Sequence, residues 1–145
     1  MSMKTILVPM ENHDAMQSAL DTALLLGRRC DSYIEGFALR WSINEFIVGD
    51  VMAGAPLETY REDIAEEAKK AKQIFETFMQ KHDVPRAAET TESLSFGWLD
   101  DAPEGEGFIG SYGRVFDVIV MKRRDARSGP IHDRAIESGL FESGR

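Results

Sequence analysis

Val118–Met121 (VIVM) is an unbroken apolar run, with no polar residue at alternate positions. A strand of that kind has no face to offer to water, so it must be covered above and below. With its flank, Val115–Met121 (VFDVIVM) reads as the clearest buried strand of the chain. Thr5–Met10 (TILVPM) reads the same way, β-branched at its start and ending near Pro9. The chain has 145 residues, room for one domain with a sizeable core and too few for two. Buried strands near both ends of a single domain call for a sheet with helices on both faces.

The residues between supply those helices. After Asp14 and Gln17, which have the form of a capping box, Met16, Leu20, Ala23, Leu24 and Gly27 recur at helical spacing, with Gly27 placed to end the helix. Ser32–Leu39 (SYIEGFAL) reads as a second strand. Leu57, Tyr60, Ile64, Ala68, Ala71, Phe75, Phe78 and Met79 mark the strongest helix, over 57–82. Arg86–Leu94 (RAAETTESL) is a weak, polar strand candidate. Phe108–Arg114 reads as a short helix, and Ile131–Glu142 as a closing helix with Gly144 placed to end it. Strands thus alternate with helices, which predicts a three-layer α/β/α domain around a parallel, Rossmann-like sheet of four to five strands. Trp41–Pro56 is long for a connection and carries seven large apolar residues, so it reads as a lid or a subunit contact.

Composition excludes several classes. A net charge of −8 argues against a general nucleic-acid binder. Cys30 is the single cysteine, so no disulfide framework or thiolate metal cluster exists. No apolar stretch approaches the roughly 18 residues of a membrane span. With no positively charged leader before an apolar signal segment, these features point to the cytoplasm.

Motifs suggestive of chemistry resolve into plainer readings. Gly105–Gly110 (GEGFIG) matches the dinucleotide pattern, but no buried strand precedes it, and Glu104 and Glu106 would repel a pyrophosphate. It reads as a glycine-rich turn into a short helix. His13, His82 and His132 lack metal-ligand spacing, although His13 and His132 each follow a buried strand and can converge. Cys30, beside Arg28 and Arg29, reads as a packed thiol, and Asp100, Asp101, Glu104 and Glu106 as a solvated acidic loop. No nucleophile–base–acid set can be assigned, so the chain is read as a non-enzyme.

Met3–Leu39 (MKTILVPMENHDAMQSALDTALLLGRRCDSYIEGFAL) and Gly110–Met121 (GSYGRVFDVIVM) together resemble the universal stress protein family. The likeness implies an adenine nucleotide α-hydrolase-like fold, usually dimeric, and a site where ATP or AMP binds in many members. ATP-binding members carry G-x-x-G, nine residues, then G and Ser or Thr after the fourth strand. Those places fall here on Lys122, Asp125, Ala135 and Ile136, and Glu11 replaces an Asp that follows the first strand. Side chains at 122 and 125 would crowd a triphosphate, and Asp125 would repel it.

The candidate nucleotide or anion contacts are Pro9, Glu11, Leu39, Met121, Lys122, Arg123, Arg124, Ser128 and Gly129. The resemblance with these departures implies a stress-response regulatory or interaction domain with a degenerate ATP loop, no required cofactor and no catalysis. The alternative is an ATP- or AMP-binding, weakly ATP-hydrolysing protein that uses the basic loop Lys122–Arg127. Glu142–Arg145 falls where the family's fifth strand starts, so the chain reads as the first half of a tandem protein. Its expected partner is a second copy or a second stress-protein domain, met at an unpaired sheet edge.

Overall fold

The computed structural model describes residues 2–40, 42, 57–88, 93–105, 107–126 and 130–144. Of the Trp41–Pro56 segment only Ser42 is among them, so the lid or subunit contact expected there lies outside the described residues. Four parallel strands form one sheet: β1 (Thr5–Met10), β2 (Tyr33–Ala38), β3 (Ser95–Leu99) and β4 (Val118–Ile119), in the order β3-β2-β1-β4. Among the described residues the helices are α1 (Met16–Cys30), α2 (Leu57–Lys81), α3 (Gly107–Gly113) and α4 (Pro130–Glu137), the last running on into a π-helical turn, Ser138–Glu142. None of the helices among the described residues is long and apolar enough to cross a membrane.

Strand periodicity sorts the core into two layers. Ile6, Val8 and Met10 of β1 and Ile34 and Ala38 of β2 face Leu20, Leu24, Phe75 and Met79 of α1 and α2. Leu7 and Phe37 point the other way, against Ile109 of α3 and Ala135 of α4. The sheet is therefore covered on both faces, as the apolar strands require. From β1 the chain moves outward through β2 to β3, then crosses back to lay β4 on the other side of β1. That reversal, with right-handed connections, puts α3 and α4 opposite α1 and α2. It also opens a crevice at the carboxyl ends of β1 and β4, where ligands of such sheets bind.

Four local expectations are corrected. Asp14 and Gln17 form no capping box; Asp14 lends only its carbonyl, to the Gln17 N–H, and α1 begins at Met16, after Ala15, with no side-chain cap. Gly27 does not end α1. It lies inside the helix, where a Cβ would come 2.8 Å from Ile34 Cδ1, and Asp31 closes the helix in the left-handed region with φ 51°. The third strand among the described residues is Ser95–Leu99 (SFGWL); of the Arg86–Leu94 candidate, Arg86 makes an isolated bridge to Phe96, and residues 89–92 lie outside the described residues. The fourth strand is shorter than 115–121, although the Val120 N–H still donates to Leu7 O at 2.9 Å.

The glycines of the GEGFIG stretch have a packing role. Gly105 turns with φ 96°, and Gly110 faces the π-helical turn, where an added Cβ would lie 2.9 Å from Ser138 Oγ. The Gly110 N–H donates to that same hydroxyl at 3.1 Å. Gly107, at the start of α3, faces open space. Gly110→Ala is therefore expected to destabilise the protein by about 1–3 kcal/mol through overpacking. Gly107→Ala should leave stability unchanged or slightly higher; paired denaturant titrations check both.

Candidate functional site at the carboxyl ends of β1 and β4

β1 ends at Met10, and residues 11–15 turn directly into α1. The turn is tight: the His13 N–H donates to Glu11 O at 3.0 Å and the Met16 N–H to His13 O at 3.1 Å. Asn12 Nδ2 donates to Glu67 Oε2 of α2 at 3.0 Å, which fixes the loop from outside. The Ala15 N–H donates to His13 Nδ1 at 2.9 Å. Neutral His13 therefore carries its proton on Nε2, the nitrogen that faces Asp125 Oδ2 at 3.7 Å.

The loop after β4 enters the same crevice. Lys122 turns inward and is 4% exposed, with Nζ 3.6 Å from Glu11 Oε2. The same carboxylate oxygen lies 3.5 Å from Nδ1 of His132, which is also 4% exposed and sits in the first turn of α4. Neither ring nitrogen of His132 has a hydrogen-bond partner. His13 and His132 thus each face a carboxylate of the loops that follow β4 and β1, Asp125 and Glu11 respectively. No group of three or more metal-ligating side chains occurs among the described residues.

Each candidate contact can now be placed. Pro9 is buried in β1 opposite Phe37, and the Leu39 N–H donates to Met10 O at 2.9 Å, so both line the carboxyl end of the sheet. Met121 packs partly buried on the α3–α4 layer. Arg124 reaches away to Asp133 of α4, Nε to Oδ1 3.1 Å, and Arg123 is exposed. Ser128 and Gly129, with Arg127, lie outside the described residues. Among its described residues the basic run is thus divided between separate partners. Lys122 answers Glu11, Arg124 answers Asp133, and the crevice itself holds two carboxylates, Glu11 and Asp125, against one buried ammonium. That balance opposes a polyanion.

A second polar cluster went unseen in the sequence. Glu35, on the α3 face of β2, accepts hydrogen bonds from Tyr33 Oη at 2.7 Å and from Tyr112 Oη of α3. Gly97, opposite Glu35 in register, leaves the room that the Tyr33 hydroxyl fills. Burial first, then the hydrogen bond and charge of Glu35, push both phenols far above the ordinary value. A raised folded-state pKa contributes stability that is complete below the unfolded pKa and lost as pH climbs above it. Stability should therefore fall above about pH 10. Glu35→Gln should bring tyrosinate absorbance in at lower pH; an unchanged alkaline titration would contradict this account.

For the crevice, Glu11→Ala leaves Lys122 buried without its carboxylate, and should cost about 3 kcal/mol of stability. Lys122→Met keeps the volume and removes the charge, while Glu11 retains some contact with water and the His132 ring. It should cost clearly less, and chemical denaturation of the two variants ranks them. No protein-family model, curated protein or solved structure matches this chain.

Proposed function

We propose that this chain is a non-catalytic regulatory or interaction domain of the universal stress protein type, acting in the cytoplasm, whose nucleotide crevice has closed on its own side chains. One observation carries the reading: Lys122, at the place of the first loop glycine in nucleotide-binding members, is buried against Glu11. A phosphate there would have to displace Glu11 from a buried ammonium and sit close to Asp125, the place of the second glycine. Separating the pair is costly, because Lys122 is buried and loses the carboxylate that faces it. The four-strand parallel sheet and its reversal between β1 and β4 agree with the resemblance without singling out this family.

Isothermal titration with ATP-Mg²⁺ and with AMP tests the reading. Neither should bind more tightly than about 1 mM. Saturable ATP binding in the micromolar range, lost in Arg123→Ala or Arg124→Ala, would establish the alternative of a basic loop that holds phosphate by side-chain charge.

A further inference from the structure

We propose that the Tyr33–Glu35–Tyr112 cluster binds a primary ammonium group, borne by a small amine or by a lysine side chain. The site lies on the α3 side of β2 and goes beyond the crevice, on whose reading it does not depend.

The direction of two protons makes the cluster one-sided. Tyr33 Oη donates to Glu35 Oε1 at 2.7 Å, and Tyr112 Oη donates to Oε2 of the same carboxylate. Each phenol has a single proton, and both are spent on Glu35. The cluster is left with lone pairs on four oxygens and no donor. Burial, then the hydrogen bond and charge of Glu35, hold both phenols far above their ordinary range, so this all-acceptor character persists through neutral pH and well beyond. An anion finds nothing there to accept from. A group that carries only donors, and a positive charge with them, is the complement.

Charge points the same way. The ion pairs among the described residues all involve other carboxylates, so no lysine, arginine or histidine neutralises Glu35. The phenols share its charge without cancelling it. Tyr33, Glu35, Gly97 and Tyr112 are all half-buried, and both hydrogen bonds lie only part-buried. A carboxylate in that position is screened less than one on the open surface and still within reach of a visitor.

The oxygens are also held in place beforehand. The Tyr112 ring stacks on Phe108 at 4.9 Å and meets Phe116 edge-on at 5.2 Å. The Tyr33 hydroxyl fills the slot above Gly97, which a side chain at 97 would close. Little ordering is left for binding to impose. Because each carboxylate oxygen already holds a phenol, the parallel two-bond fork of a guanidinium meets occupied oxygens, whereas an ammonium swivels its three donors to the lone pairs that remain. The ring surface of Tyr33, Tyr112 and Phe108 suits the methylenes behind such an ammonium.

NMR titration of the 145-residue chain with butylammonium chloride tests the site, against sodium chloride at equal ionic strength and against 1-butanol. Butylammonium should give saturable shifts at Tyr33, Glu35, Gly97 and Tyr112, with a dissociation constant of about 1–10 mM, and neither control should. Nα-acetyl-lysine methylamide binding more tightly than butylammonium assigns the site to a lysine side chain, and weaker binding assigns it to a small amine. Glu35→Gln keeps an acceptor oxygen and removes the charge, and should weaken binding about tenfold. The spectrum of the variant reports whether it is folded; if it is not, the wild-type comparison with sodium chloride and 1-butanol decides. Shifts that do not saturate, that fall elsewhere, that sodium chloride reproduces, or that survive undiminished in folded Glu35→Gln overturn the proposal. Nucleotide binding would overturn the crevice reading and leave these outcomes untouched.

Discussion

Ile6 through Met10 of β1 are all buried, and that single requirement organises the molecule. A strand with no wet face and no wet edge needs a neighbour on each side and a helical layer above and below. β2 and β4 supply the neighbours, and the two helical pairs supply the layers. Since β2 and β4 flank β1 from opposite directions of the chain, the sheet must reverse its course there. The crevice at the strand ends follows from that reversal and exists before any functional residue is chosen.

What fills the crevice is a small ionic cluster. Glu11, Lys122 and His132 come from three separate segments, and Glu11 Oε2 faces the nitrogens of the other two at 3.5 to 3.6 Å. Such clusters hold geometry more than they add stability, since desolvating the charges offsets most of their attraction. Here the cluster joins the turn after β1 to the loop after β4 and to α4, so it fixes the mouth of the crevice. Arg124 with Asp133 draws the outer part of the basic loop onto α4 in the same way.

The two-layer plan was legible because it rests on local pattern: apolar runs for β1 and β4, and a long amphipathic repeat for α2. The third strand was not. Ser95–Leu99 holds Gly97 at its middle and borders the acidic turn, so its apolar signal is brief, while the polar stretch before it has more of the length of a strand. Gly27 misled because a glycine in a helix marks an end only when the next turn is not pressed against a strand. The inward turn of Lys122 had a sequence trace, Glu11 at the corresponding place after β1, but lysine in a basic run reads as solvated. Tyr33, Glu35 and Tyr112 left no trace, because the contact joins residues 77 positions apart.

The tie between the chain's start and β4 has a kinetic consequence. Asp117 Oδ2 accepts from the Lys4 N–H at 2.8 Å and the Thr5 N–H at 3.0 Å, across 113 and 112 residues of sequence. β1 can pair with β2 after closing a short loop, whereas its other side must wait until nearly the whole chain has been gathered in. Loop-closure entropy and the cost of non-local contacts therefore make β4 a late arrival in folding. With only two residues in the ladder it has the shortest pairing of the described strands, and is expected to open before β2 or β3. Each such opening bares the flank of β1, whose Ile6–Met10 are otherwise buried. The lifetime of the β1–β4 join thus sets how long the chain stays safe from misassembly.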